Sequence, residues 1–148
     1  MGATYPDYFA ALIPIAAPLT VDQSGIDKLK NQPMWLIHTK ADATVQPENS
    51  VLPLYKSLIT SGATNKWFSY FETATGTDLP GTEYDGHWAW IYFFHDQVIG
   101  VQHPENTKNW DGYGGMVATD PTNGGGSRAS VNGQTYNSIF DWMSAQRH

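Results

Sequence analysis

The sequence has 148 residues, of which 41% are apolar and 15% charged, and it contains no cysteine. This length and composition predict one packed domain and argue against disorder. The net charge of −6 argues against a nucleic-acid partner, which would need clustered Lys and Arg, and no apolar run reaches the roughly 20 residues of a membrane span. The absence of cysteine excludes disulfides, thiolate metal sites and a cysteine nucleophile.

The first third of the chain predicts two buried strands. The apolar run at residues 10–16 is typical of a strand buried on both faces, although Pro14 lacks the donor that a sheet ladder needs. Residues 20–32 predict a polar connection with one helical turn at residues 26–29. Residues 34–39, introduced by Pro33, form the clearest buried strand in the sequence.

A helix and a third strand follow. Residues 47–61 predict a helix because a proline and Glu48 lie in the first turn and Gly62 follows the last. Residues 66–71 predict the third strand. The helix has one apolar face, formed by Val51, Leu54, Tyr55, Leu58 and Ile59.

The remainder predicts a loop at residues 72–86, a short helix at 87–94, a Gly-rich excursion at about 95–130 and a closing amphipathic helix at 136–146. The element order predicts an α/β fold in which about three parallel strands carry flanking helices, within a single domain over residues 1–148. The closing helix has four apolar residues on or near its inner face, namely Ile139, Phe140, Trp142 and Met143.

Two polar residues follow predicted strands at positions where chemistry is expected. Asp42 lies three residues after Thr39, and His87 ends the loop that follows the third strand. Functional groups in open parallel sheets collect just beyond the carboxyl ends of the strands. If the two strands are neighbours, the carboxylate can accept a hydrogen bond from the imidazole and fix its tautomer.

Four segments resemble secreted bacterial esterases of the α/β-hydrolase fold that are related to polyhydroxybutyrate depolymerases and feruloyl esterases. Residues 33–42 (PMWLIHTKAD) resemble the strand and acid turn of that family, and residues 86–92 (GHWAWIY) resemble its segment around the catalytic histidine. Residues 5–11 (YPDYFAA) resemble the end of the helix behind the nucleophile and the start of the next strand. Residues 140–143 (FDWM) resemble the last helix.

The resemblance implies a carboxylic-ester hydrolase in which Asp42 is the triad acid and His87 is the general base. It implies an ester substrate, no cofactor, and an extracellular or periplasmic location for the complete protein. The triad of this fold runs in the order Ser, Asp, His, with the serine in a G-x-S-x-G elbow. The sequence contains no such motif: Ser24 follows no strand, and Ser127 lies in a glycine run after the histidine.

These observations predict the C-terminal part of an esterase whose nucleophile comes from a missing upstream half, so that the chain alone is inactive. The first strand would then expose an unpaired edge. The predicted partners are that upstream half or a second copy of the chain. Because the excursion at 95–130 begins close to His87, a lid over the substrate is a further hypothesis.

Other interpretations stay open. Asp42 and His87 also suit a turn and a helix start, and the sequence allows a peptidase on the same fold or a non-catalytic carbohydrate-binding module. Trp88 and Trp90 favour core packing over a sugar platform.

Trp110 and Tyr113 are better candidates for an exposed aromatic contact. A further group of residues lacks the spacing of a metal site, namely His38, His95, His103 and Asp96.

Overall fold

A two-stranded parallel sheet is the central feature of the computed structural model, which describes residues 1–75, 79, 81–95, 101, 118, 129–131 and 133–147. Two short 3-10 turns, Pro47–Asn49 and Gly86–Trp88, precede the second and third α-helices. The helices and strands in chain order are α1 (Gln23–Leu29), β1 (Met34–Thr39), α2 (Val51–Thr60), β2 (Lys66–Phe71), β3 (Ala74–Thr75), β4 (Glu83–Tyr84), α3 (Trp90–Phe94), β5 (Ala129–Val131), β6 (Gln134–Tyr136) and α4 (Ile139–Ser144).

The two central strands confirm the predictions for residues 34–39 and 66–71. They pair in parallel from Met34 opposite Lys66 to Thr39 opposite Phe71. Every residue of β1 is buried, and in β2 only Trp67 is partly exposed. Parallel pairing needs a crossover connection, which α2 supplies.

Side chains from the sheet divide between two apolar clusters. Leu36 of β1 packs in one cluster with Leu58 of α2 and with α1. Trp35 and Ile37 point to the opposite face and pack with α3 and with Trp142 of α4. Because successive side chains of a strand alternate between faces, one apolar run covers both sides of the sheet. The chain therefore has a mixed helix and strand fold around a small parallel sheet.

The predicted first strand is wrong as a continuous strand. Only isolated parallel bridges to β1 form, at Leu12 and Ile15. The N–H of Trp35 donates to the carbonyl of Leu12 at 2.9 Å, and the N–H of Ile37 donates to the carbonyl of Pro14 at 3.0 Å. A regular ladder would need residue 14 to donate between these two bonds, and proline has no N–H. The described part of the parallel sheet thus has two strands rather than about three.

The helices differ from their predicted bounds. The single turn predicted at residues 26–29 is a full helix, α1, because the Asp22 side chain caps it by accepting the N–H of Gly25 at 2.8 Å. The helix predicted at 47–61 begins as a 3-10 turn, and its α-helical part ends at Thr60, before Gly62 with a φ of 77°. Of its predicted apolar face, Ile59 is only partly buried.

The two ends of the chain also depart from prediction. Residues 1–8 form turns rather than the end of a helix. The closing helix is shorter than predicted because Tyr136 belongs to β6, and α4 begins at Ile139 with Ser138 as its cap. Phe140 and Met143 are 38% and 39% exposed, since only every third or fourth position of so short a helix faces the sheet.

The loop predicted at residues 72–86 contains a short antiparallel ladder, β3 with β4. The excursion at about 95–130, with its predicted lid, lies almost entirely outside the described residues. No helix in the described part of the chain is long and apolar enough to cross a bilayer.

Candidate active site

Asp42 begins a tight turn beyond the carboxyl end of β1 and is 2% exposed. Its Oδ1 accepts hydrogen bonds from the backbone N–H groups of Thr44 at 2.9 Å and Val45 at 2.8 Å. An aspartate that bonds the backbone two and three residues ahead closes its own turn. The carboxylate is thereby fixed on one side, and Oδ2 is left for side-chain donors.

His87 lies in the 3-10 turn that precedes α3. The Asp85 side chain caps this turn by accepting the N–H of His87 at 2.8 Å. The imidazole Nδ1 lies 3.0 Å from Asp42 Oδ2, and because a carboxylate only accepts, Nδ1–H is the donor. The His87 side chain keeps 30% of its surface exposed. The structure thus brings the two predicted site residues together, while their catalytic role stays a prediction.

Backbone pairing beyond the strands holds the two loops in register. The N–H of Lys40 donates to the carbonyl of Phe71 at 2.8 Å, and the N–H of Ala41 donates to that of Glu72 at 3.1 Å. The loop after β1 therefore lies alongside the loop after β2. This continuation explains why two side chains 45 residues apart in sequence meet at one edge of the sheet.

Gly86 brings the histidine loop onto the acid loop. Its carbonyl accepts the Thr39 hydroxyl at 2.5 Å. A Cβ built on Gly86 would overlap the Ala41 carbonyl group and lie 2.6 Å from the Asp42 nitrogen. Only glycine allows this approach, because any side chain would push the backbone at residue 86 away from Asp42.

His38 is part of the same cluster, which sequence reasoning missed. Its Nε2 lies 2.8 Å from the Val45 carbonyl oxygen and 3.2 Å from Asp42 Oδ2, and the residue is 1% exposed. Burial lowers the pKa of His38, while the contacts with Val45 and Asp42 oppose that change. The available signal was a polar residue inside an otherwise apolar buried strand, since such a group needs a partner.

A group of aromatic rings lies next to His87. The Trp90 ring meets the imidazole edge-on at a centroid distance of 5.8 Å, and the Trp88 ring stacks between Tyr84 and Trp90. Trp88 is 44% exposed, so the prediction of core packing is wrong for it. These rings and Phe94 line a depression of about 400 Å³.

The remaining candidates do not join this cluster. Ser24 is exposed within α1, outside any elbow between a strand and a helix. Within the described ranges, no three His, Cys, Asp or Glu side chains are arranged to hold a metal ion. Several sequence candidates lie outside the described residues, namely Asp96, His103, Trp110, Tyr113 and Ser127.

The likeness to known proteins comes from a solved structure. No known protein family matches the chain, and no curated protein is detectably similar to it. Among solved structures, the crystal structure of a thermostable esterase is 28% identical, with a TM-score of 0.53. The match covers 65% of this chain and 24% of the esterase, so it spans about a quarter of the esterase's length. The likeness supports an esterase-like α/β-hydrolase fold.

Proposed function

We propose that this chain supplies the acid, Asp42, and the base, His87, of a serine-hydrolase triad that cleaves carboxylic esters. The contact of 3.0 Å between Asp42 Oδ2 and His87 Nδ1 carries this proposal. The carboxylate is buried, fixed by two backbone donors, and bonded to a partly exposed imidazole. The likeness to an esterase supports the choice of reaction.

The geometry suits a histidine that works as a general base. With Nδ1–H donated to Asp42, the free lone pair of a neutral His87 is on Nε2. Nε2 takes the proton of a serine hydroxyl as its oxygen attacks the ester carbonyl. The imidazolium then protonates the departing alcohol and leaves an acyl-enzyme. In the second half of the reaction His87 takes a proton from water as the water oxygen attacks the acyl carbon. It then returns that proton to the serine oxygen as the acyl–serine bond breaks and the acid leaves.

The serine is proposed to come from polypeptide outside these 148 residues, because they contain no G-x-S-x-G motif. The proposed partner is an N-terminal half that carries the nucleophile and the oxyanion donors. The chain alone then has almost no activity, since under this proposal both of those groups lie in that half. Kinship with polyhydroxybutyrate depolymerases and feruloyl esterases, and export from the cytoplasm, belong to the same proposal.

The test uses the full product of the gene that contains this sequence. That protein and the isolated 148 residues are assayed side by side with p-nitrophenyl esters. We expect Asp42→Asn and His87→Ala each to lower kcat by about 10³-fold or more in the longer protein. An exposed residue of α1 gives a matched control, Asp27→Asn, which should leave the rate unchanged.

Three outcomes would contradict the proposal. They are His87-dependent hydrolysis by the isolated chain, full activity of the Asp42→Asn enzyme, and a longer protein without a G-x-S-x-G motif. Parallel assays with peptide substrates and a glycan-binding screen distinguish the peptidase and the carbohydrate-binding module.

A further inference from the structure

We propose that His38 is a positioning residue for Asp42, whose Oδ2 it holds in place to receive Nδ1–H of His87. The inference rests on the proposed function, which makes Asp42 and His87 a catalytic pair. How His38 holds Asp42 is argued from its own contacts. Those contacts are the Val45 carbonyl oxygen at 2.8 Å and Asp42 Oδ2 at 3.2 Å, both from the same ring nitrogen, Nε2.

The two contacts determine where the His38 proton lies. A carbonyl oxygen and a carboxylate oxygen can only accept, so the nitrogen between them must carry hydrogen. Burial of the ring also favours the neutral form, and its pKa is lowered accordingly. The charged or titratable groups that act on the ring are Asp42, His87 and Glu48. His38 is therefore a neutral imidazole with its proton on Nε2.

This proton is donated to the Val45 carbonyl oxygen and lies beside the carboxylate. Oδ1 accepts the N–H groups of Thr44 and Val45, and Oδ2 accepts Nδ1–H of His87 and lies 3.2 Å from Nε2 of His38. The last torsion of an aspartate is intrinsically broad, so the plane of the carboxylate has to be fixed by its partners. Without His38, the turn loses its bond to β1 through Val45 and Oδ2 loses the polar neighbour on its other side, so the carboxylate is free to turn away from His87.

Val45 forms a further link between β1 and the turn that carries Asp42. Its N–H donates to Asp42 Oδ1 while its carbonyl accepts from His38 in β1. The turn that carries the acid is thus bonded to the strand before it, independently of the histidine loop. These contacts fix the acid without using His87, which is what preorganisation of a triad requires.

The test is nitrogen-15 NMR of the histidine rings in the 148-residue chain at pH 7, and it needs no catalysis. In the unmodified protein we expect a neutral His38 with its proton on Nε2, and a His87 Nδ1–H protected from exchange with water. His38→Phe removes the donor and keeps a ring. His38→Gln places an amide N–H near the position of Nε2.

We expect His38→Phe to speed exchange of the His87 Nδ1–H by about 10-fold or more, because the acid turn loses its bond to β1 and Oδ2 loses its polar neighbour. The same variant should shift His87 towards the Nε2–H tautomer. His38→Gln should restore both signals, and His95→Phe, a change at an exposed histidine, should leave them unchanged.

An unaltered His87 signal in a folded His38→Phe protein would overturn the proposal, because a purely structural role would not require that signal to change. If that variant does not fold, the NMR spectrum of the unmodified protein provides the test. A His38 protonated on Nδ1, or on both nitrogens, would overturn the proposal. An inactive full-length protein with these NMR signals in place would instead reject the esterase function and leave the positioning role intact.

Discussion

The two ends of the same pair of strands carry polar clusters that differ in whether a reactive side chain is accessible. The amino-end cluster contains Asn65 and Lys66 at the start of β2. The carboxyl-end cluster contains His38, Asp42 and His87. Both clusters are organised around hydrogen bonds to buried side chains, so burial of polar groups alone does not identify a functional site.

The amino-end cluster uses its polar groups to close the fold. The three hydrogens of the Lys66 ammonium match three backbone carbonyl oxygens, those of Lys30, Gln32 and Thr64, at 3.1, 2.5 and 3.0 Å. Asn65 Oδ1 accepts the indole N–H groups of Trp67 and Trp142, each at 3.0 Å. Lys66 is 3% exposed, which leaves its ammonium no room to meet a ligand.

The carboxyl-end cluster leaves one reactive group accessible. The His87 imidazole is 30% exposed and bonded through Nδ1, which leaves Nε2 for another molecule. A candidate site is therefore recognised by an accessible proton acceptor whose other ring nitrogen is held by a buried partner, rather than by the number of its hydrogen bonds. Variants at the amino end should therefore change the stability of the fold and leave the His87 hydrogen bond intact. Variants at the carboxyl end should disturb that bond.

The largest effect on stability is expected at Asn65, in the amino-end cluster. Asn65→Ala removes its two indole bonds and its bond to Gln146, and it places alanine at a φ of 51°. We expect the free energy of unfolding to fall by about 3–4 kcal/mol, at about 1 kcal/mol for each bond and for the left-handed backbone. Urea denaturation measures the loss, and the His87 Nδ1–H signal should be unchanged.

Asn65→Gly is the matched control because it relieves the backbone and loses the same bonds, so it should be less destabilising by about 1 kcal/mol. A change in the His87 signal with either variant would show that the two ends are coupled and do not act independently.

The next effect concerns pH. Burial lowers the pKa of Lys66 from 10.5 to about 8 in the folded chain. Between pH 8 and 10.5 the unfolded chain therefore binds more protons than the folded one, and the free energy of unfolding rises with pH across that window, by up to about 3 kcal/mol. Thermal unfolding at pH 7.5–10.5 measures it, and Lys66→Met should lack this rise. A free energy of unfolding that does not change with pH in the unmodified protein would mean that the three carbonyls bonded to Lys66 offset the effect of burial on its pKa.

The smallest effect on stability, and the most specific for the carboxyl end, is expected for Gly86→Ala. The added methyl group overlaps the backbone of Ala41 and Asp42, so the histidine loop must move. We expect a loss of about 2 kcal/mol, in the range of overpacked sites, together with loss of the His87 Nδ1–H signal.

Gly81→Ala serves as the control, because that glycine has a φ of 79° with no atom within 4 Å of an added Cβ. It should cost about 1 kcal/mol of backbone strain and leave the signal in place. If Gly86→Ala kept the signal, the close approach of the two loops would not be what joins the pair.

Predictions from sequence succeeded where a pattern acts locally. The apolar run of β1, the spacing of apolar residues in α2 and the turn at Asp42 each follow from residues close together in the chain. They failed where one residue altered a longer pattern: Pro14 interrupted the first strand, and Asp22 extended α1. His38 was missed because its partner Asp42 lies beyond the end of the strand, where no periodicity applies.

Local patterns predict two buried strands, an aspartate turn after the first and a loop that ends at a histidine after the second, because hydrophobic periodicity and turn chemistry act over a few residues. The approach of these side chains to 3.0 Å, and the position of His38 at 3.2 Å from the same carboxylate, come from tertiary structure alone. Contacts between residues 45 positions apart depend on strand register and on the close approach at Gly86. Packing of the whole sheet fixes both, and no segment of sequence contains that information on its own.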